Sequence, residues 1–223
     1  MYKIEWKKEL SQLAMLALLL GTPCMLYQHL PSHMPIHWNL KGDADHYALK
    51  TPVTALMIPL MALATYVLML LLPYVDPKQK RYSDFLHTYR IIRLALLLFF
   101  AGIAAVIYSK AMGINVAVDR TIPGFVGLLI VVIGNFLGKV RQNWFLGIRV
   151  PWTLESEIVW NKTHRLGGRL FVSAGIGGIA GVLLPPAARF AALIVPLFLA
   201  IAVTVSYSYV IFKKEQKEKT AIP

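Results

Sequence analysis

The sequence predicts an all-α integral membrane protein of six transmembrane helices. Both termini lie inside, with an extracytoplasmic loop between helices 1 and 2 and an amphipathic cytoplasmic loop between helices 4 and 5. Three observations carry this. The 223 residues are 57% hydrophobic and 15% charged, with a mean hydropathy of +0.58, whereas a soluble domain carries about 25% charged residues. Six apolar stretches, 10–27, 53–73, 91–109, 121–137, 170–184 and 190–212, stand out against the roughly 17–25 residues needed to cross a hydrocarbon core about 30 Å thick. The basic residues, finally, are divided unevenly between the two sides.

With both termini inside, Lys3, Lys7, Lys8, Lys78, Lys80, Arg81, Arg90, Lys139, Arg141, Arg149, Lys162, Arg165, Arg169, Lys213, Lys214, Lys217 and Lys219 are cytoplasmic, 17 of the 23 lysines and arginines. The outer pieces hold Lys41, Lys50, Lys110, Arg120 and Arg189, and Arg93 sits at the edge of the third span. This is a positive-inside distribution. It also accounts for the net charge of +12 without nucleic acid, because inner-loop basic groups meet anionic lipid headgroups and no nucleic-acid-binding motif accompanies them.

The first span reads as a retained anchor, since no small-residue cleavage site follows it. Its Cys24 is the one cysteine, so there is no disulfide framework, and it reads as a small buried apolar side chain. The fifth span, 170–184, is cut short by Pro185 and Pro186 and reads as short, tilted or re-entrant. Its glycines do not form a phosphate loop. Ala174 with Gly178, and Gly177 with Gly181, are small residues four apart that let helices approach closely. The chain divides into 1–109, with the outer loop 28–52 and three spans, and 110–223, with the inner loop 138–169 and three more.

The outer loop concentrates His29, His33, His37 and His46 with Asp43 and Asp45. Imidazole and carboxylate are zinc-type ligands, but Pro35 separates His33 from His37 and no glutamate follows His33, so a helical zinc motif fails. The loop reads as a cap without metal or cofactor; His33, His37, Asp43, Asp45 and His46 are the groups that would hold a metal if one bound. Pro31 and Pro35 favour an extended entry, Asn39, Gly42 and Asp43 a turn, and Trp38 and Tyr47 suit the membrane interface.

In the inner loop, Pro151 pushes Val150 toward extended geometry, and Thr153 is a candidate N-cap with Glu155 and Glu157 in the first turn. The helix is expected to end at Gly167-Gly168. Trp144, Trp152 and Trp160 recur every eight residues, as headgroup anchors would, beside Arg141, Arg149, Arg165 and Arg169. Arg149, between Gly147-Ile148 and Val150-Pro151, is placed for one partner, a carboxylate or a backbone carbonyl.

The run Asn143-Trp144-Phe145-Leu146-Gly147-Ile148-Arg149-Val150-Pro151-Trp152-Thr153-Leu154, with Gly134-Asn135-Phe136 before it and Val159-Trp160-Asn161-Lys162-Thr163-His164-Arg165-Leu166-Gly167-Gly168 after it, resembles the signature of the SdpI family of bacterial membrane proteins. The outer Pro35-Ile36-His37-Trp38-Asn39, Gly42, Asp45, Tyr47 and Lys50 are similar to that family's N-terminal pattern. The resemblance implies a multi-pass protein of the bacterial cell membrane that confers immunity to a secreted peptide toxin and relays its presence to a cytoplasmic repressor. It implies ligand-binding residues His37, Trp38, Asn39, Asp45 and Tyr47 outside, and signalling or structural residues Asn143, Arg149, Pro151, Trp152, Thr153, Trp160, His164 and Arg165 inside. Membrane lipid is the remaining partner, and no catalytic residue or cofactor is implied.

Two other classes compete. A metal-dependent membrane hydrolase would have to use the outer His/Asp cluster, for which no supporting nucleophile spacing exists. A proton-coupled transporter places acids or histidines inside its spans, and none is expected there.

Overall fold

A bilayer core offers no water to backbone N–H and C=O groups, so a spanning chain satisfies them within helices. The computed structural model describes residues 3–220 and follows this rule. Its elements are α1 (Trp6–Leu26), the strands β1 (His33–Trp38) and β2 (Ala44–Leu49), α2 (Pro52–Val75), α3 (Leu86–Ala111), α4 (Val118–Leu137), α5 (Pro151–Glu155), α6 (Glu157–Ala180) and α7 (Pro186–Thr220). Six helical segments are long and apolar enough to cross a membrane, and only the five-residue α5 is not among them. The connections alternate ends, so the β1–β2 hairpin and the loop between α4 and α6 lie at opposite ends of the bundle.

Helices α1, α2 and α3 share a core that includes Leu16, Leu19, Ala62, Tyr66, Leu97 and Ala104. Helices α4, α6 and α7 pack on one another, and α3 against α4 joins the two groups. The α4–α6 contact is backbone against backbone. A Cβ on Gly134 would stand 2.8 Å from the Gly168 carbonyl oxygen, and one on Gly175 would stand 2.6 Å from that of Gly127. The stripe on α6 serves α7 as well: a Cβ on Gly178 would strike Leu193 Cδ1, and one on Gly181 would lie 2.7 Å from Ala192 Cβ. The small residues are thus inside the bundle, as helix packing requires.

Several expectations are corrected. The fifth long helix is longer than the apolar stretch 170–184: α6 begins at Glu157, and its 24 residues rise about 36 Å, long enough to span. Gly167 and Gly168 do not end it, because their bare Cα atoms admit Ile148 and Thr204 on one side and the Gly134 carbonyl on the other. Its N-cap is Ser156, whose hydroxyl accepts from the Val159 N–H, while Thr153 lies inside α5. Cys24 is exposed on the outside of α1, since the neighbouring Pro23 takes the buried position.

Buried ionisable groups are also present in the long helices. Glu9 falls in the first turn of α1 and is fully buried, ion-paired to Arg93, with Arg90 Nε at 3.3 Å and the Tyr66 hydroxyl donating at 3.1 Å. Arg93 Nε donates to Gln12 at 2.7 Å. His164 is likewise fully buried within α6. The extended entry and the turn expected of the outer loop form an antiparallel hairpin pairing His33 with Leu49 and Trp38 with Ala44.

Gly168→Leu is expected to cost about 1–3 kcal/mol through overpacking against Gly134, seen as a lower unfolding temperature in detergent. Gly21→Ala, where a Cβ meets nothing within 4 Å, should hold or slightly raise that temperature, because alanine is the better helix former.

Candidate functional site

At the hairpin end, the turn is built by Asn39, whose side-chain oxygen accepts from the Lys41 N–H at 2.9 Å and the Asp43 N–H at 3.1 Å. Gly42 closes the turn with φ +83°, and a Cβ there would lie 2.9 Å from the Asp119 nitrogen, so the hairpin tip rests on the start of α4. Positive φ and close approach both call for glycine. The hairpin base is tied down by Lys50, which donates to the carbonyls of Tyr27 and Leu30 at 3.2 and 2.8 Å.

His37, Asp45 and His46 meet on the exposed side of the hairpin. His37 Nδ1 lies 2.6 Å and His46 Nδ1 3.2 Å from Asp45 Oδ1, and the two rings meet edge to face. Hydrogen bonding from His37 holds the Asp45 carboxyl below its ordinary value of 3.8. His33 stays apart, its Nδ1 3.3 Å from Ser32 Oγ, and Asp43 belongs to the turn. Tyr47 is exposed. Of the five groups named for a metal, the fold therefore gathers three.

Between the hairpin and the hairpin-side ends of α4 and α7 lies a cavity of about 290 Å³ with mainly apolar walls, among them Ile36, Val118, Ile122 and Phe190, and with His37, Trp38 and Asn39 also lining it. Arg189 also lines it, 3% exposed and ion-paired to Asp119, with Nη2 donating to the Leu184 carbonyl at 2.8 Å. Two buried N–H groups here, Trp38 Nε1 and Arg189 Nε, have no acceptor among the described residues. Arg189 and Asp119 both line this cavity, whereas the sequence places Arg189 only among the basic residues of the outer pieces and gives Asp119 no role. The only available signal was a charged residue at the very start of an otherwise apolar span.

The opposite end is organised by Asn143, which is fully buried. Its oxygen accepts from the N–H groups of Phe145 and Leu146 at 2.8 and 2.7 Å, and its amide donates to the carbonyls of Arg141 and Leu146. Asp76, just after α2, accepts from the Trp144 N–H and the Tyr82 hydroxyl, both at 2.9 Å. Gln142 donates to the carbonyls of Thr153 and Leu154, and Lys78 also reaches the latter. Burial lowers the Lys78 pKa. Asp76, Tyr82 and Gln142 were missed because the contacts that join their segments, Asp76 to Trp144, Tyr82 to Asn143 and Lys78 to Gln142, span 61 to 68 residues.

His164 Nδ1 is 2.8 Å from the Trp160 carbonyl and Nε2 accepts from the Ile148 N–H at 2.9 Å, which fixes Nδ1 as the protonated nitrogen. A Cβ on Gly147, at φ +119°, would collide with that ring. Trp160 stacks on His164, is fully buried and donates to the Val140 carbonyl at 2.8 Å, so it is a core residue and not a headgroup anchor. Trp152 donates to Ser208 on α7 at 2.6 Å, and Trp144 is 46% exposed. Thr153 accepts from the Val150 N–H at 3.0 Å, with Pro151 opening α5. Arg149 finds the expected backbone carbonyl, that of Trp144, at 2.8 Å. Arg165 remains exposed.

Residues 139–209 match the model of the SdpI/YfhL protein family, and residues 14–63 match a domain of unknown function, DUF1648. The chain is 28% identical over 210 residues to Immunity protein SdpI of Bacillus subtilis (strain 168), covering 93% of this chain and 97% of that protein. No solved structure matches.

Two outcomes follow from this geometry. Asn143→Ala strips the acceptor from two loop N–H groups and should cost about 1–3 kcal/mol, measured by thermal unfolding in detergent. The Asp45 carboxyl should titrate below 3.8, read by ¹³C NMR of labelled aspartate, and return toward about 3.9 in His37→Ala. Because the folded value is depressed, the His37–Asp45 contribution is complete above the unfolded value and is lost as pH falls through the folded one.

Proposed function

We propose that this multi-pass membrane protein, similar to Immunity protein SdpI, gives the cell that carries it immunity to a secreted hydrophobic peptide, captured at the hairpin end. The observation that carries this reading is the similarity to Immunity protein SdpI along nearly the whole of both chains. The positive-inside bias puts the hairpin outside, where a secreted peptide arrives.

The cavity under the hairpin supports the same reading on physical grounds. Its apolar walls suit the side chains of a membrane-active peptide, and its two unpartnered N–H groups, on Trp38 and Arg189, suit the carbonyls of a peptide backbone. A buried donor left unsatisfied costs about 1–3 kcal/mol, which an acceptor on the ligand recovers. His37, Trp38 and Asn39 line the cavity, while Asp45 holds His37 from behind and Tyr47 lies on the exposed surface nearby.

A relay to a cytoplasmic repressor forms the second part of the proposal. It requires the peptide to bind two conformations with unequal affinity, and the exposed Trp144, Arg149 and Arg165 are the candidate contact surface.

Sensitive cells expressing the chain should survive a dose of secreted hydrophobic peptide that kills controls. Trp38→Ala and Arg189→Gln, at equal membrane abundance, should lower the half-killing dose about tenfold, the effect of roughly 1.4 kcal/mol of lost binding. Expressing cells that die as readily as controls across a panel of such peptides would end the immunity reading.

A further inference from the structure

The geometry points to a site for zinc or another late first-row divalent ion, made by His37, Asp45 and His46 on the exposed side of the hairpin. Each of the three offers one ligand atom, and these atoms lie within 4.8 Å of one another. Zinc binds imidazole nitrogen at about 2.0–2.1 Å and carboxylate oxygen at about 2.0–2.2 Å. A tetrahedron with those bonds separates its ligand atoms by about 3.4 Å. Asp45 Oδ1 lies 2.6 Å from His37 Nδ1 and 3.2 Å from His46 Nδ1, so those two pairs open as the ion enters while the imidazole nitrogens, within 4.8 Å of each other, settle toward the same spacing.

The backbone explains how three ligands come to share one side. Asp45 and His46 are consecutive on β2, and a regular pleat would point them to opposite faces. The pairing is broken on either side of His37, between Pro35 and His37 and between His37 and Trp38, so that His37 stands opposite His46. Such irregularities turn side chains away from the alternation of a regular strand, and here the break falls at the residue that both Asp45 and His46 reach.

The donor set is two imidazoles and one carboxylate, a combination used for zinc and other late first-row ions rather than for calcium or magnesium. All three side chains are exposed, at 62%, 36% and 71%, which leaves room for water to complete the coordination. The ion joins β1 to β2 across a two-stranded hairpin, an arrangement that is marginal in water unless something else holds it.

The test is zinc titration of the untagged full chain in detergent by calorimetry, with cobalt(II) absorption reporting the ligand field. We expect saturable binding of one ion in the micromolar range. His37→Ala, His46→Ala and Asp45→Asn should each weaken it at least about tenfold, the loss that even an outer-shell partner causes. His29→Ala and His33→Ala, changes in the same loop but outside the cluster, should leave binding unchanged. Absence of saturable binding, wild-type affinity in His37→Ala, or equal loss in His33→Ala overturns the site. The outcome is independent of the survival assay, so either proposal can fail alone.

Discussion

The close approach of α4 and α6 is the constraint on which the other parts depend. Gly127 against Gly175 and Gly134 against Gly168 bring the two backbones nearer than any side chain allows, and with lipid as apolar as leucine, such contact is what drives helices together in a bilayer. It fixes α6 at both ends. Toward one end, α6 carries Trp160 and His164 beneath the loop they hold. Toward the other, its Gly178 and Gly181 receive Leu193 and Ala192, which seats α7 so that Arg189 reaches Asp119 at the start of α4.

The two ends use polar groups in opposite ways. Around Asn143, Asp76, Thr153 and His164, loop N–H groups find acceptors inside the fold. Such networks rigidify, because each missing bond in a low-dielectric interior is costly. Around the hairpin, Trp38 and Arg189 keep N–H groups with no acceptor among the described residues, beside an apolar cavity. On the proposed function, the loop end holds its shape and the hairpin end receives the peptide.

Much of this was legible in the sequence, and the exceptions have physical causes. The six spans follow from apolar length, and the turn at Asn39–Gly42 from residues that tolerate it. Of the two partners read for Arg149, a carboxylate or a backbone carbonyl, the fold supplies the carbonyl, that of Trp144. Gly167-Gly168 misled, because in water a glycine pair ends a helix, while in a bundle it marks where a neighbour enters. Trp160 misled because periodicity alone does not separate a headgroup anchor from a core residue. Asp119 with Arg189, and Asp76 with Trp144, are joined only by the tertiary fold, and no spacing rule spans 70 or 68 residues.

The Glu9–Arg93 ion pair has a bearing on biogenesis. An arginine at the centre of an isolated helix costs roughly 2.5–3.5 kcal/mol to insert, and Arg93, though nearer one end, is fully buried against a carboxylate contributed by the first helix and shared with Tyr66 of the second. The third helix therefore enters the lipid most favourably once the two before it are already alongside, which makes the first three helices a single unit of assembly as the chain emerges from the ribosome.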